Sequence, residues 1–448
     1  MMDPARSVLL TDLYQLTMLQ GYFEQRMDER AAFEFFVRNL PAGRNFLMAA
    51  GLAQALDYLE HLRFMPEELD WLNRSGRFTP AFIDYLAEFR FRGDVFAMPE
   101  GTLFFTDEPI LRVVAPLPQA QLVESRLINL LHFQTVIASK AARCVLAAPN
   151  KLLVDFGFRR AHGAEAGLLA ARATYLAGFG GSSTVLAGPM YDVPVFGTMA
   201  HSFVQAHEDE LTAFDHFASA QPDNVVLLID TYDTEAAAAK VVELAPRLRE
   251  RGIAIKAVRL DSGDLVDHAK RVRAILDRGG LTETGIFSSG SLDEYELQRL
   301  LNAGAPIDGF GVGTRLDTSA DAPYLDCAYK MVEYGGEPRM KLSEGKITWP
   351  GRKQVYRRYD DAGEMVGDTL ALETDDCAGE PLLSQVMRNG RIVRPIASLA
   401  KARVHARNQL NALPSLLRGP TREDAYVVEV APALRVLRET MSKRLANR

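Results

Sequence analysis

From about residue 150 to residue 335, short apolar runs rich in β-branched residues alternate with longer stretches whose apolar positions recur at helical spacing. "NVVLLID" (224–230) leads into "TYDTEAAAAKVVELAPRLRERG", where Thr234 suits an N-cap, Glu235 the first turn and Gly252 the C-terminal stop. "IAIKAVRLDSGD" (253–264) leads into "LVDHAKRVRAILDRGG", and "GIFSSGS" (285–291) into "LDEYELQRLLNAG", with "IDGFGVG" (307–313) following. Earlier strands are predicted at "KLLVDFG" (151–157), "SSTVLAG" (182–188) and "VPVFG" (193–197), and one helix over "SFVQAHEDELTAFDHFA" (202–218).

The strand centres lie about 25 to 30 residues apart, the length of a βα unit. About seven or eight such units predict a closed α/β barrel, with an open doubly wound sheet as the competitor. Polar tips after nearly every strand favour the barrel. The flanks read differently. Residues 1–145 mix helical stretches such as "EELDWLNRSG" with strand-like "AAFEFFVRNL" and "DVFAMPEGTLFF", and residues 336–448 run from strand-like "KITWPGRKQVYRRYD" to helix-like "APALRVLRETMSKRLANR". The expected organisation is a barrel over 146–335 and a flanking α+β domain assembled from both chain ends.

Composition narrows the function classes. At 448 residues the chain exceeds the size at which one hydrophobic core stops growing, in keeping with two folding units. With 48% hydrophobic and 24% charged residues it is expected to be globular rather than disordered. Lys and Arg total 51 against 58 Asp and Glu, which excludes a general polyanion-binding surface, so no nucleic-acid partner is expected and an anionic ligand must be caught locally. The three cysteines, Cys144, Cys327 and Cys377, are far apart and form no CxxC, as expected of a reduced cytosolic protein without structural zinc. No apolar run reaches membrane-spanning length, so the expectation is a soluble cytoplasmic protein with no membrane partner.

Barrels place their chemistry at the carboxyl ends of the strands. The residues there are Asp155 with Arg159, Ser183, His201, Asp230 with Asp233, Arg259 with Asp261 and Asp264, Ser288 to Gly290, and Gly311 to Thr314. Such a ring of carboxylates, arginines, hydroxyls and glycines suits a phosphorylated substrate with a divalent cation. "FGVGT" (310–314) and "SSGS" (288–291) are adjacent tips whose backbone N–H groups can approach a phosphate, or are plain turns. "VRLDSGD" puts Arg259 and Asp261 on one face, with Asp264 at the helix start; the carboxylates can hold Mg²⁺ through water, or cap the helix and pair with the arginine. "DFGFRRAHG" (155–163) offers aromatics and arginines to a flat anionic ring, or an ordinary aromatic core beside solvated arginines. His201 follows Gly197 and Thr198 at a helix start, where it is either a packing and capping residue or an acid, base or phosphoryl-carrying nucleophile.

Taken together, "LLTDLYQLTMLQGYF" (9–23), "DFGFRRAHG", "GGSSTVLAG" (180–188), "GTMAHSF" (197–203), "VRLDSGDL", "FGVGTRL" and "KLSEGKITWPGRKQVYR" (341–357) resemble, in order and across nearly the whole chain, the nicotinate phosphoribosyltransferase family. The resemblance implies a dimeric type II phosphoribosyltransferase with an irregular α/β barrel, an ATP-coupled pentosyltransferase that makes nicotinate mononucleotide and pyrophosphate from nicotinate and 5-phosphoribosyl 1-pyrophosphate for NAD biosynthesis. It implies Mg²⁺ and ATP as cofactor and co-substrate, and transient phosphorylation of His201. By the same likeness Tyr14 of the neighbouring subunit and Phe156 would sandwich the pyridine ring, and Arg159 would reach its carboxylate. Arg259, Asp261, Ser288, Gly290, Gly313 and Thr314 would hold the ribose, phosphate and pyrophosphate-Mg²⁺ ends, with Asp230 nearby. The related nicotinamide enzyme carries aspartate where Ser183 stands, and a serine can donate a hydrogen bond to a carboxylate that an aspartate would repel. A nicotinamide- or quinolinate-using phosphoribosyltransferase and a catalytically silent nucleotide-binding regulator are the alternatives.

Overall fold

The computed structural model describes residues 7–342, 348–421 and 426–446. The chain divides into two compact units, one formed by the segments up to Ser139 and from Tyr324 onward, the other by Lys140–Pro323.

The second unit is a curled parallel sheet of an irregular α/β barrel, built from β1 (Leu152–Asp155), β2 (Gly181–Ser182), β3 (Val225–Leu228), β4 (Ile255–Leu260), β5 (Gly285–Ser289) and β6 (Gly309–Val312). Their spatial order is β2-β1-β6-β5-β4-β3. Every pairing is parallel, so all six carboxyl ends lie along one edge. Helices Ala164–Ala177, Thr234–Glu250, Leu265–Arg278 and Glu294–Asn302 connect the strands. Alternation fixes what each strand buries. In β4, Val258 and Leu260 are fully buried against the helix side, each contributing roughly 1.5–3 kcal/mol, while Arg259 between them faces the other way.

Aspartates set the helix starts. Asp233, Asp264 and Asp293 each accept hydrogen bonds from amides of the first turn, typically worth about 1 kcal/mol per cap. The cap before Ala236 is thus Asp233, one residue ahead of the expected Thr234. The expected helix over 202–218 forms as two, His201–Gln205 and Glu210–Ala220, because Asp209 caps the amide of Thr212 and starts the second afresh. Of the strand expected at 182–188 only Gly181–Ser182 forms before the chain turns into the helix Ala187–Tyr191. The strand expected at 193–197 contributes a single bridge, Val195 to Ser182. A Cβ on Gly181 would stand 2.1 Å from the Pro194 carbonyl oxygen, so glycine permits that approach.

The first unit is α+β. Its seven-stranded antiparallel sheet runs Glu337–Pro338, Cys327–Tyr334, Arg30–Val37, Leu111–Pro116, Asp94–Ala97, Ser384–Arg388, Arg391–Ile392, interleaving both chain ends. Cys327–Tyr334, inside the segment expected for the barrel, pairs along its length with Arg30–Val37 and belongs here. Ala32, Val114 and Val332 form a core cluster across three of these strands, with Phe96 packed on it. A second sheet joins Glu380–Pro381, Lys353–Tyr359, Met365–Leu372 and Val428–Val430. Pro432–Ala446 forms the expected last helix. Residues 343–347 of "KLSEGKITWPGRKQVYR" lie outside the described residues. Among the described residues no helix is long and apolar enough to cross a membrane.

Candidate active site

The site grows from the edge where the six strands end. Phe156 follows β1, and its ring lies 5.8 Å from that of Phe287 on β5, tilted by 45°. Between those strands runs β6, and its alternate glycines make the room. A Cβ on Gly311 would stand 2.5 Å from a Phe156 ring carbon, and one on Gly309 2.9 Å from Phe287. The requirement for glycine at Gly311, expected from close approach to a phosphate, is set here by the aromatic ring. Gly313 passes so near the Phe156 carbonyl oxygen that a Cβ would stand 3.0 Å from it. Thr314, exposed, opens the short helix Thr314–Asp317.

Arg259 reaches over this ring, its guanidinium carbon 5.4 Å from the Phe156 centroid. Four groups fix it. Nε donates to Ser289 Oγ (2.9 Å), one terminal nitrogen to Thr198 Oγ1 (3.2 Å) and the Met199 carbonyl (3.4 Å), and the other to Asp261 Oδ1 (3.1 Å). Ser289 also donates a short hydrogen bond to Asp261 Oδ1. Burial pushes Asp261 up, but the Ser289 hydrogen bond, the Arg259 guanidinium and His201 together hold its carboxyl below the usual carboxylate range. It is ionised at neutral pH.

Asp230 braces the same corner. Its Oδ2 accepts from the Asp261 amide (3.0 Å) and Ser262 Oγ (2.6 Å), while its buried Oδ1 has no hydrogen-bond donor among the described residues. His201, first residue of its helix, turns Nδ1 to Thr231 Oγ1 at 3.2 Å. Its Nε2 stands 3.9 Å from both Asp230 Oδ1 and Asp261 Oδ2, with the side chain 40% exposed. An accessible imidazole nitrogen faced by two carboxylates, one of them paired with a fixed guanidinium, can take up or release a proton, or accept a transferred group.

The expected residues are not all brought to this corner. Ser288 is fully buried on the opposite face of β5 and its hydroxyl has no partner among the described residues. The hydroxyl that joins Arg259 is that of Ser289, because Phe287 pairs in register with Arg259 and alternation puts Ser289 on the same face. Asp264 uses Oδ1 to cap the amides of Val266 and Asp267, and among the described residues it does not touch His201, Arg259 or Asp261. Gly290 has a positive φ of 98°, and a Cβ there would stand 2.2 Å from the Asp261 carbonyl oxygen, so it locks two strand ends together. Asp155 and Ser182 are paired in register, which sets the half-buried Ser183 beside Phe156; its amide donates to the Asp155 carbonyl at 2.8 Å. Arg159 lies exposed on the turn Phe158–Arg160, and its guanidinium has no partner among the described residues. Tyr14, in the first unit, is 47% exposed on the helix Leu13–Glu24, its hydroxyl 3.4 Å from Glu124. Thr198, Thr231 and Ser289 take part in the cluster with no individual role assigned from the sequence, Ser289 being named there only within the tip Ser288 to Gly290. Strand alternation signals only Ser289.

Three family models match consecutive parts of the chain: the nicotinate phosphoribosyltransferase N-terminal domain over 9–132, the family core over 152–344 and the C-terminal domain over 374–438. A nicotinate phosphoribosyltransferase of Mycobacterium tuberculosis is 49% identical over 440 residues, covering 98% of this chain and 94% of its own. The crystal structure of human nicotinic acid phosphoribosyltransferase superposes with a TM-score of 0.87 at 30% identity, covering 96% of this chain and 99% of the other. Nicotinate-nucleotide pyrophosphorylase from Pyrococcus furiosus superposes with a TM-score of 0.75 at 25% identity, over 92% and 96% of the two chains. With the motifs in order from end to end, and the ring, guanidinium and imidazole assembled on one sheet edge, the chain belongs to the nicotinate phosphoribosyltransferase family.

Proposed function

We propose that the protein joins nicotinate to 5-phosphoribosyl 1-pyrophosphate, giving nicotinate mononucleotide and pyrophosphate in cytoplasmic NAD biosynthesis, and that it couples this to ATP hydrolysis through a phosphohistidine at His201. The observation that carries the reading is a single cluster in which Arg259, over the Phe156 ring, pairs with Asp261, while Asp261 and Asp230 both face the His201 imidazole. Family membership supplies the substrate class.

Phe156 offers its face to the pyridine ring, and the unpartnered Arg159 is available to grip the ring carboxylate bidentately. Ser183 can donate to the same carboxylate. Tyr14 from a second subunit covers the other face, which makes the working enzyme a homodimer with shared sites. Gly290, Gly313 and Thr314 receive the phosphoribosyl end.

Asp230 and Asp261 fit Mg²⁺: one buried oxygen lacks a donor, the second carboxylate faces the same nitrogen, and two protein oxygens suit an ion completed by phosphate and water. Among the described residues no cluster of three side chains forms an all-protein metal cage. When bound, Mg²⁺ neutralises charge on the pyrophosphate.

As the bond from ribose C1 to the pyrophosphate oxygen breaks, the sugar gains oxocarbenium character and the leaving group takes the electron pair. Arg259, already fixed by four partners, meets that charge without reorganising. The ring nitrogen, positioned by stacking, attacks C1, so no protein nucleophile acts on the sugar. In the tautomer whose Nδ1–H donates to Thr231 Oγ1, the His201 lone pair lies on Nε2. That nitrogen takes the γ-phosphoryl group of ATP, releasing ADP, and water later cleaves the N–P bond to give phosphate.

The test is product formation from nicotinate or nicotinamide with 5-phosphoribosyl 1-pyrophosphate, with and without ATP. Turnover of nicotinate stimulated by ATP is expected. A strong preference for nicotinamide overturns the Ser183 assignment, and absence of transfer from either overturns the reading. Arg159→Ala is expected to raise KM for nicotinate by about tenfold to a hundredfold, the loss of one charge-assisted pair, with KM for 5-phosphoribosyl 1-pyrophosphate nearly unchanged. Equal loss of both would contradict its role.

A further inference from the structure

Beneath the Phe156 turn lies a pair of carboxyl groups that the reaction just described does not use. Asp155 ends β1, is fully buried, and accepts two hydrogen bonds, from the Gly157 amide at 2.7 Å (Oδ1) and from Ser182 Oγ at 2.7 Å (Oδ2). Asp317, the last residue of the helix Thr314–Asp317, is 1% exposed and presses its carboxyl against Gly157. A Cβ on Gly157 would stand 2.2 Å from Asp317 Cγ and 2.5 Å from each of its oxygens. Neither oxygen receives a hydrogen bond from a described N–H or O–H donor. The group it meets is the Asp155 carboxyl.

Two buried carboxylates in contact cannot both be ionised. Asp155 already accepts from two donors, which favours the charge there and leaves the proton on Asp317. Burial, then the neighbouring Asp155, push Asp317 well above the usual carboxylate range. A neutral Asp317 donates to Asp155 and completes the bracing of the 155–157 turn.

We propose that Asp317, as a neutral hydrogen-bond donor to Asp155, is a positioning residue for the nicotinate subsite, holding from below the turn that carries Phe156 and Arg159. The inference rests on the functional reading above for the identity of the ligand. The turn is otherwise held by its own hydrogen bonds, the Gly157 carbonyl accepting from the Arg160 and Ala161 amides, and by the packing of Phe156 and Phe158. The Phe156 amide is tied to the Val312 carbonyl at 2.8 Å, and the Gly157 amide depends on Asp155 itself. The helix bearing Asp317 has independent anchors, the buried Leu316 and the 2.8 Å ion pair of Arg315 with Asp293. Removal of the Asp317 carboxyl therefore loosens the ring side more than the phosphate side.

Three variants of the full chain test this, with steady-state kinetics in both substrates and amide exchange of the 155–160 peptide read by mass spectrometry. Asp317→Ala is expected to raise KM for nicotinate about tenfold or more, to leave KM for 5-phosphoribosyl 1-pyrophosphate within about twofold, and to speed exchange of the peptide. Asp317→Asn keeps a neutral donor in the same place and is expected to restore both readouts, whereas Asp155→Asn loses an acceptor and does not. An unchanged nicotinate KM in Asp317→Ala overturns the proposal, and so does an Asp317→Asn protein as impaired as Asp317→Ala. A wild-type chain that fails to use nicotinate overturns the functional reading alone, because the exchange readout still reports the pair without any substrate.

Discussion

Replacement of Arg259 by alanine is expected to lower kcat/KM by about 100- to 1,000-fold, the range for removal of one preorganised donor to charge that develops in a transition state. The size of the effect comes from how the side chain is held. A solvated arginine must be ordered before it can help, but this one is only 14% exposed and is fixed by Ser289, Thr198, the Met199 carbonyl and Asp261. It therefore enters the reaction already aimed. Lysine should not rescue the loss, since one ammonium cannot reach hydroxyls and a carboxylate in the planar arrangement of the guanidinium. Because the guanidinium also lies 5.4 Å from the Phe156 centroid, KM for nicotinate should rise along with the fall in kcat. Steady-state kinetics in both substrates measure this, and a loss under about threefold would place the charge stabilisation elsewhere.

His201→Ala is expected to abolish the stimulation by ATP while slow, ATP-independent transfer persists. The separation follows from geometry: among the described residues the imidazole makes one hydrogen bond, with Thr231, and is not among the groups that hold Arg259. Under the proposed mechanism its loss removes the phosphoryl acceptor and leaves the charge clamp in place. The check is to compare initial rates with and without ATP and to look for acid-labile, base-stable label from γ-labelled ATP. Complete inactivity, or undiminished stimulation, would remove His201 from the carrier role.

The barrel unit was legible in the sequence wherever apolar alternation and cap chemistry agree, as from 224 to 313, where four strands and three long helices fall close to their expected places. It was least legible around 182–197. There β2 is two residues long and its neighbour contributes one bridge, and so little regular backbone leaves no periodicity to read. The site followed the same division. The spacing of Arg259 and Asp261 predicted a shared face, and they are hydrogen-bonded. The choice between Ser288 and Ser289 depended on the register between β4 and β5, which a single strand's pattern does not carry. The role of Gly311 depended on the bulk of Phe156, far away in sequence. Likewise Asp317, which no sequence pattern singles out, meets a carboxyl more than 160 positions earlier.

The sheet of the first unit has a consequence for how the protein is made. Asp94–Ala97 finds its outer neighbour only in Ser384–Arg388, and Arg30–Val37 only in Cys327–Tyr334. During synthesis the early strands leave the ribosome with bare edges and wait while the whole parallel-sheet unit emerges between them. Chains interrupted before residue 384 retain an unpaired edge open to their neighbours. Early strands of the chain thus belong to a sheet that closes only after the parallel-sheet unit has been made, and holdase chaperones would be expected to engage nascent chains over that interval.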